Sequence, residues 1–313
     1  MKSRVLVYLM LLAVAGGVVA CTDHLIPDLT PGSVPAHLRV KSLTEELPNN
    51  LAKKSVFSYD QQGRLSLIIS YQTPDSSVAE VIYNTYSYDA QNRLTGLFRQ
   101  QVPYPRPQGG QFNLTTGYSY TYNSLNQVTS ILGPNYLHWT YQYNSANQLA
   151  KSYVDFYHPQ ISIDGGFLFT FVGKNLTQTR GIIRLKYPNM FPQTPLADLD
   201  TFQPTTYTHD NKINPFYGAF VIPSAQRGFS TIYLSPGAVS TGALFGGSDN
   251  VLSLSQNNVL SETPPSGSTD ITITYQYQYN AANLPTVRIK TITPSNPNYP
   301  VSTETLRFEY ETY

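Results

Sequence analysis

From Val56 onward, aromatic and aliphatic residues alternate with Ser, Thr and Gln at period two, the pattern of strands with one apolar and one polar face. The pattern repeats. Val56-Phe57-Ser58-Tyr59-Asp60 leads into Gln61-Gln62-Gly63-Arg64-Leu65, and Tyr86-Ser87-Tyr88-Asp89 leads into Ala90-Gln91-Asn92-Arg93-Leu94. Tyr120-Thr121-Tyr122-Asn123, Tyr141-Gln142-Tyr143-Asn144 and Tyr277-Gln278-Tyr279-Asn280 open further copies, and Phe171-Val172-Gly173-Lys174-Asn175-Leu176 is a decayed one. Successive turn openers at 60, 89, 123 and 144 are unevenly spaced, which suits hairpins of differing length and not a strict solenoid.

The turn chemistry is consistent from copy to copy. Asp or Asn opens the turn and accepts from a backbone N–H two residues on. Gly or Asn then takes the position that must tolerate positive φ. This predicts type I turns closed by a left-handed residue, a common hairpin connection. Sequential hairpins place neighbouring strands side by side. The predicted fold is therefore all-β: an antiparallel up-and-down meander curled into a barrel-like or half-barrel shell. The tyrosine face either fills the interior or lies open to bind a ligand. Packing is the commoner use of such a face.

The start of the chain reads differently. Lys2 and Arg4 precede an apolar run from Val5 to Ala20, too short for a membrane span and laid out like a secretory signal. Its exit, Val18-Val19-Ala20-Cys21, resembles the lipobox of bacterial lipoproteins, which implies cleavage before Cys21 and lipidation of that residue. Residues 21–50, with four prolines, read as a flexible tether in which Leu43 to Leu47 makes at most a helical turn. Residues 51–313 read as a single β-rich domain. Its stretch at 187–247, with prolines at 188, 192, 195, 204, 215, 223 and 236, is expected to form long loops across one end of the sheet. A short helix near Phe216–Phe220 or Thr241–Phe245 is expected within it.

Composition narrows the class. Of 313 residues, 25 are Tyr, and charged residues make up only 12%. The 20 basic and 19 acidic residues supply no field to attract nucleic acid. A single Cys excludes a disulfide scaffold and a cysteine-rich zinc site.

The search for chemistry yields little. There is no His-Glu-x-x-His, no Gly-x-Ser-x-Gly and no phosphate-cradling glycine loop. Asp155, His158 and Asp164 are an acid/base candidate at a strand end, but solvated turn residues are the commoner explanation. Asp198, Asp200 and Asp210 lack calcium-loop spacing. No cofactor and no metal are expected. Trp139, Tyr141, Tyr143, Tyr207 and Phe216 are the candidate ligand-binding residues, as rings able to stack on a sugar or peptide.

The Tyr-Asp-x-x-Gly-Arg-Leu segment at Tyr59 to Leu65 resembles the YD repeat of Rhs-type proteins, which implies hairpin chemistry only. A broader likeness runs over roughly 56–313. The chain resembles secreted lipoproteins of the Bacteroidota grouped as domain of unknown function DUF4595, through the Cys21 lipobox and the hairpins. The same likeness extends to Asp210-Asn211-Lys212-Ile213-Asn214-Pro215-Phe216, to Asn257-Asn258-Val259 and to the final hairpin. That resemblance implies a porin-like β fold and an envelope location, with no established activity. The expected function is a non-enzymatic outer-membrane lipoprotein, facing the periplasm or the surface. It would bind or scaffold a glycan, a peptide or an envelope protein, with the membrane as partner through its lipid. The alternative is a glycan- or peptidoglycan-directed hydrolase using Asp155, Asp198 or Asp210.

Overall fold

A computed structural model describes residues 32–33, 37–76, 81–102, 114–133, 138–156, 162–186, 199–200, 203–218, 251–264 and 271–313. In chain order the strands begin with β1 Gly32–Ser33, β2 Leu38–Glu46, β3 Ala52–Tyr59, β4 Leu65–Thr73, β5 Val81–Tyr88 and β6 Leu94–Val102. Next come β7 Leu114–Tyr122, β8 Val128–Leu132, β9 His138–Tyr143, β10 Leu149–Phe156, β11 Ser162–Val172 and β12 Asn175–Lys186. The last are β13 Leu199–Asp200, β14 Thr205–Ile213, β15 Asn257–Thr263, β16 Ile271–Tyr279, β17 Pro285–Pro294 and β18 Ser302–Thr312. The two-residue strands β1 and β13 are short additions to β2 and β12. The other sixteen form a closed antiparallel meander, in which β12 pairs with β14 and β18 returns to pair with β2. Closure leaves no free sheet edge in that ring.

The hairpin turns form as their residues dictate. At Asp60 the Oδ1 atom accepts from the amides of Gln62 and Arg64, each at 2.9 Å, and Gly63 takes a φ of 81°. Asp89, Asn123, Asn144 and Asn280 repeat these contacts, and Asn92, Asn126, Asn147 and Asn283 take the left-handed position at φ near 60°. The tyrosine before several of the turns also has a cause: its phenol donates to a backbone carbonyl beside the register shift of the preceding hairpin. Tyr88 thus bonds Leu65 O at 2.7 Å, Tyr122 bonds Leu94 O at 2.7 Å, and Tyr143 bonds Val128 O at 2.9 Å.

The turns are also laced to one another along the rim. Arg64 bonds its own Asp60 and reaches Asn92 of the next turn at 2.8 Å, while its guanidinium lies 4.4 Å from the ring centre of Tyr88. Arg93 repeats this with Asp89, Asn126 and Tyr122. Where the opener becomes Asn, the partner becomes Gln: Asn123 pairs with Gln127, and Asn144 with Gln148.

Three expectations change. Residues 38–46 are not tether: β2 is a full member of the ring, held between β18 and β3. Its alternation is hidden because the β18 register slips between Val40 and Ser42, so the core residues Val40 and Leu43 stand three apart. The Pro-rich stretch is not all loop, since β14 supplies inward Thr205 and Tyr207 between outward Thr206 and Thr208. Nor does its described part lie across the barrel end as a helix. Asn214–Gly218 and a 3-10 turn at Val251–Leu254 fold into the barrel mouth. Phe216 sits there 6.4 Å from both Phe57 and Phe308. Residues 219–250 lie outside the described residues.

One cluster of buried rings and aliphatic side chains occupies the interior, with Tyr86, Tyr120, Tyr141, Phe169, Tyr207 and Tyr275 among its members. β10 and β11 approach closely because Gly166 has no side chain: a Cβ there would meet Ser152 O at 2.0 Å and the Tyr153 ring at 3.1 Å. Gly166→Ala is expected to cost about 1–3 kcal/mol through overpacking. Gly117→Ala, where a Cβ meets nothing within 4 Å, should change stability by less than about 0.5 kcal/mol. Parallel urea titrations check the contrast, and equal midpoints for the two variants would refute it.

Candidate functional site

The candidate binding rings are carried by two strands and the infolded segment. Trp139, Tyr141 and Tyr143 share the inner face of β9. Trp139 lies half-buried with its ring 6.0 Å from Tyr118, Tyr141 is buried, and Tyr143 is held by its bond to Val128. Tyr207 is buried on β14, its hydroxyl 2.9 Å from Thr179 Oγ1. Phe216 packs inside the mouth. All five rings face the interior and join the general core or pack against it.

Of the carboxylates considered for hydrolysis, the described side chain of Asp210 is engaged by its neighbours. Asp210 Oδ1 accepts from the amides of Lys212 and Asn258, while Oδ2 accepts from Asn258 Nδ2 at 3.2 Å and from the Tyr279 hydroxyl. Asp155 lies on β10, with Asp164 and His138 opposite in backbone register. Asp198, His158 and Cys21 lie outside the described residues. Among the described residues no group of three or more His, Cys, Asp and Glu side chains is placed to hold a metal ion.

A serine and a histidine do meet. His209 Nε2 lies 2.9 Å from Ser255 Oγ, and burial pushes the imidazole below its usual range, against the opposing pull of Asp210. The pair is no nucleophile and base. Ser255 is completely buried, and its oxygen accepts the Leu176 amide at 3.0 Å. A substrate cannot reach it. The pair fastens the infolded segment to the wall, as does Asn214, whose Nδ2 donates to Leu252 O at 2.7 Å and Ser255 O at 2.8 Å.

The arrangement that sequence reading missed is a group of charged side chains inside the barrel. Register puts Arg288 opposite Tyr277 and Lys290 opposite Tyr275, so both cations point inward. Lys290, almost fully buried, lies 3.3 Å from Glu304. Glu262 is 1% exposed and accepts from the Tyr275 hydroxyl through Oε1. Burial raises its pKa, against the lowering effects of Tyr275, Lys290 and Arg288. Glu45 is raised by burial too, against the lowering effect of Lys53. Glu45 Oε2, Glu262 Oε2 and Arg288 Nε have no hydrogen-bond partner among the described residues, nor do the hydroxyls of Tyr86 and Tyr120. The signal was present but inverted. In Val287-Arg288-Ile289-Lys290 an outward cation and an inward aliphatic give the same alternation as the reverse.

Beside the infolded segment lies a cavity of about 30 Å³, lined by Asn214, Phe216, Asn258, Tyr277 and Arg288 among others. That is room for a water or two and no more. The described interior thus offers packing, charge pairing and a small polar niche beside the infolded segment.

No protein-family model matches the chain, and no curated protein does. Solved structures do. A porin-like protein from Bacteroides uniformis has a TM-score of 0.50 and 17% identity, over 86% of this chain and 96% of that one. A porin-like protein from Bacteroides vulgatus has a TM-score of 0.31 and 10% identity, over 88% of this chain and 99% of that one. The Tc holotoxin pore of Photorhabdus luminescens has a TM-score of 0.27 and 16% identity, over 82% of this chain but 13% of that chain. The last two scores bear no weight. The chain is thus similar in fold to the Bacteroides uniformis protein: a closed β-barrel of porin-like architecture, built on a different sequence.

Proposed function

We propose that this protein is a non-catalytic lipoprotein of the bacterial envelope. In this reading it is a water-exposed barrel held at the outer membrane by lipid on Cys21, serving as a binding or scaffold module for a glycan, peptide or envelope protein. One observation carries the reading: the strands are patterned aromatic-in and polar-out. On β16, Ile273 and Tyr275 are buried while Thr272, Thr274, Gln276 and Gln278 are exposed. Exposed Thr121 and Thr208, bonded to the half-buried Ser130 and Ser261, continue the polar face on other strands. A membrane-spanning barrel requires the reverse, an outward apolar band around a polar lumen. A polar-walled barrel reaches a membrane only through an anchor, and the Val18-Val19-Ala20-Cys21 motif supplies one. The likeness to secreted Bacteroidota lipoproteins of the DUF4595 type supports the same assignment.

The test is fractionation of cells making the native protein or Cys21→Ala. The native protein should incorporate labelled palmitate, sediment with membranes and enter the detergent phase on cloud-point extraction. Cys21→Ala should carry no label and remain in the aqueous phase. A Cys21→Ala protein still integral to the membrane would overturn the reading.

A further inference from the structure

We infer that the rim of hairpin turns is the end of the barrel that lies against the anchoring bilayer, contacting its headgroups directly. The inference rests on the proposed lipidation of Cys21 and adds an orientation and a contact surface to it.

The chain enters the barrel at this rim. Ser33 pairs with Leu38 and Gly32 with Arg39. His37 O accepts the Tyr313 amide at 3.1 Å, and the Arg39 guanidinium lies 3.9 Å from the ring centre of Tyr59, next to the Asp60 turn. Residues 22–31 separate the lipid site from β1. Ten residues span at most about 35 Å when fully extended. The eleven residues of β18 rise only about 25–30 Å once the ~35–45° strand tilt of a closed barrel is allowed for. To rest the opposite end on the membrane, the tether would have to be drawn well beyond the ~17 Å of a relaxed chain of ten residues. Resting the turn rim there needs no stretching.

The chemistry of the rim fits a lipid surface. Leu125, 52% exposed, sits at the tip of the Asn123 turn, and Val172, 71% exposed, begins the Gly173 turn. Ala90, Ala146 and Ala281 are the exposed tips of three other turns. The acidic openers Asp60 and Asp89 are each matched by their own arginine at 2.7 Å, so they present little net negative charge to an anionic surface. Lys174 adds an exposed cation at the same level. Small apolar tips with a cation among them suit the headgroup boundary, where apolar contact and attraction to anionic lipid add to the hold of the acyl chains. The rival surface is the far-end loop carrying exposed Tyr299 and Val301.

The full-length acylated protein offers a direct test. Because Cys21 would be blocked by lipid, an introduced cysteine is a unique thiol. Leu125→Cys and Tyr299→Cys are each labelled with an environment-sensitive fluorophore and reconstituted into phosphatidylethanolamine/phosphatidylglycerol vesicles containing doxyl-labelled lipid. The label at 125 should shift to the blue and lose most of its emission, and the label at 299 should keep its own. Gln62→Cys on the neighbouring turn repeats the measurement if the first variant folds poorly. Quenching at 299 in place of 125, or at neither, overturns the orientation while the lipoprotein assignment stands. Mass spectrometry showing an unacylated Cys21 overturns both.

Discussion

Asn214→Asp is expected to be the most damaging single-atom exchange in the barrel. The Asn214 side chain is buried, donates to the carbonyls of Leu252 and Ser255, and accepts the Phe216 amide at 3.0 Å. It therefore ties both limbs of the infolded segment to each other. Aspartate replaces the donor with an acceptor facing two carbonyls. Each buried carbonyl left without a partner costs about 1–3 kcal/mol, and an unpaired buried charge adds to that. A loss of roughly 3–5 kcal/mol is expected at neutral pH. The sign with pH is testable. The buried carboxyl has its folded pKa raised, so the variant is least impaired below the ordinary aspartate pKa. Its deficit should grow as pH rises above that value. Melting temperatures of native and variant protein across an acid-to-neutral series check this. A constant gap, or none, would refute the role given to Asn214.

The second large effect is at Glu262. Its folded pKa is raised, chiefly by burial, above the ordinary 4.5. The folded state then holds a proton that the unfolded chain releases. The contribution to stability is complete below the unfolded pKa and declines as pH climbs through the folded one. Glu45 acts in the same direction. Glu262→Gln keeps an acceptor for Tyr275 and removes the titration, so its stability should fall less steeply with pH than that of the native protein. Glu262→Ala removes the partner of the Tyr275 hydroxyl. A buried hydroxyl left without its partner costs about 1–3 kcal/mol. Denaturant midpoints of both variants between acid and neutral pH decide the point. Identical profiles for native protein and Glu262→Gln would remove Glu262 as the titrating group.

The hairpins were legible because each depends on neighbours in the chain. Asp60 finds its donors at Gln62 and Arg64, and the alternation of Tyr86, Tyr88, Tyr120 and Tyr122 needs no distant information. Why tyrosine and not phenylalanine precedes the turn was not legible, since the carbonyl it satisfies belongs to an earlier hairpin. β2 was missed because the register slip near Lys41 breaks the period, and because its partner β18 lies at the other end of the chain. The interior charges were missed for a different reason. Period two says which residues share a face but not which face is inside. The tyrosine-rich strands settle that by bulk, whereas Arg288 and Lys290 settle it only by pairing with Tyr277 and Tyr275. The sequence reading left open which side of the wall the rings take, and the packing of Phe216 with Phe57 and Phe308 depends on contacts that no local pattern encodes.

The seam between β2 and β18 fixes when the barrel can form. Its side-chain bonds, Arg39 to Glu311 and Ser42 to Glu309, join residues 272 and 267 positions apart. The hairpins from β3 to β12 can assemble as the chain emerges, but they remain an open curved sheet with an exposed margin until β18 arrives. Closing so long a span is slow relative to hairpin formation. The rate of maturation is therefore set by ring closure, and any delay in releasing the final strand prolongs the state most prone to edge-to-edge association. For the same reason the ring is indifferent to where it is cut. Joining Tyr313 to His37 and opening the chain at the exposed loop 295–301 would turn the slowest contact into a local hairpin while leaving every strand with its present neighbours.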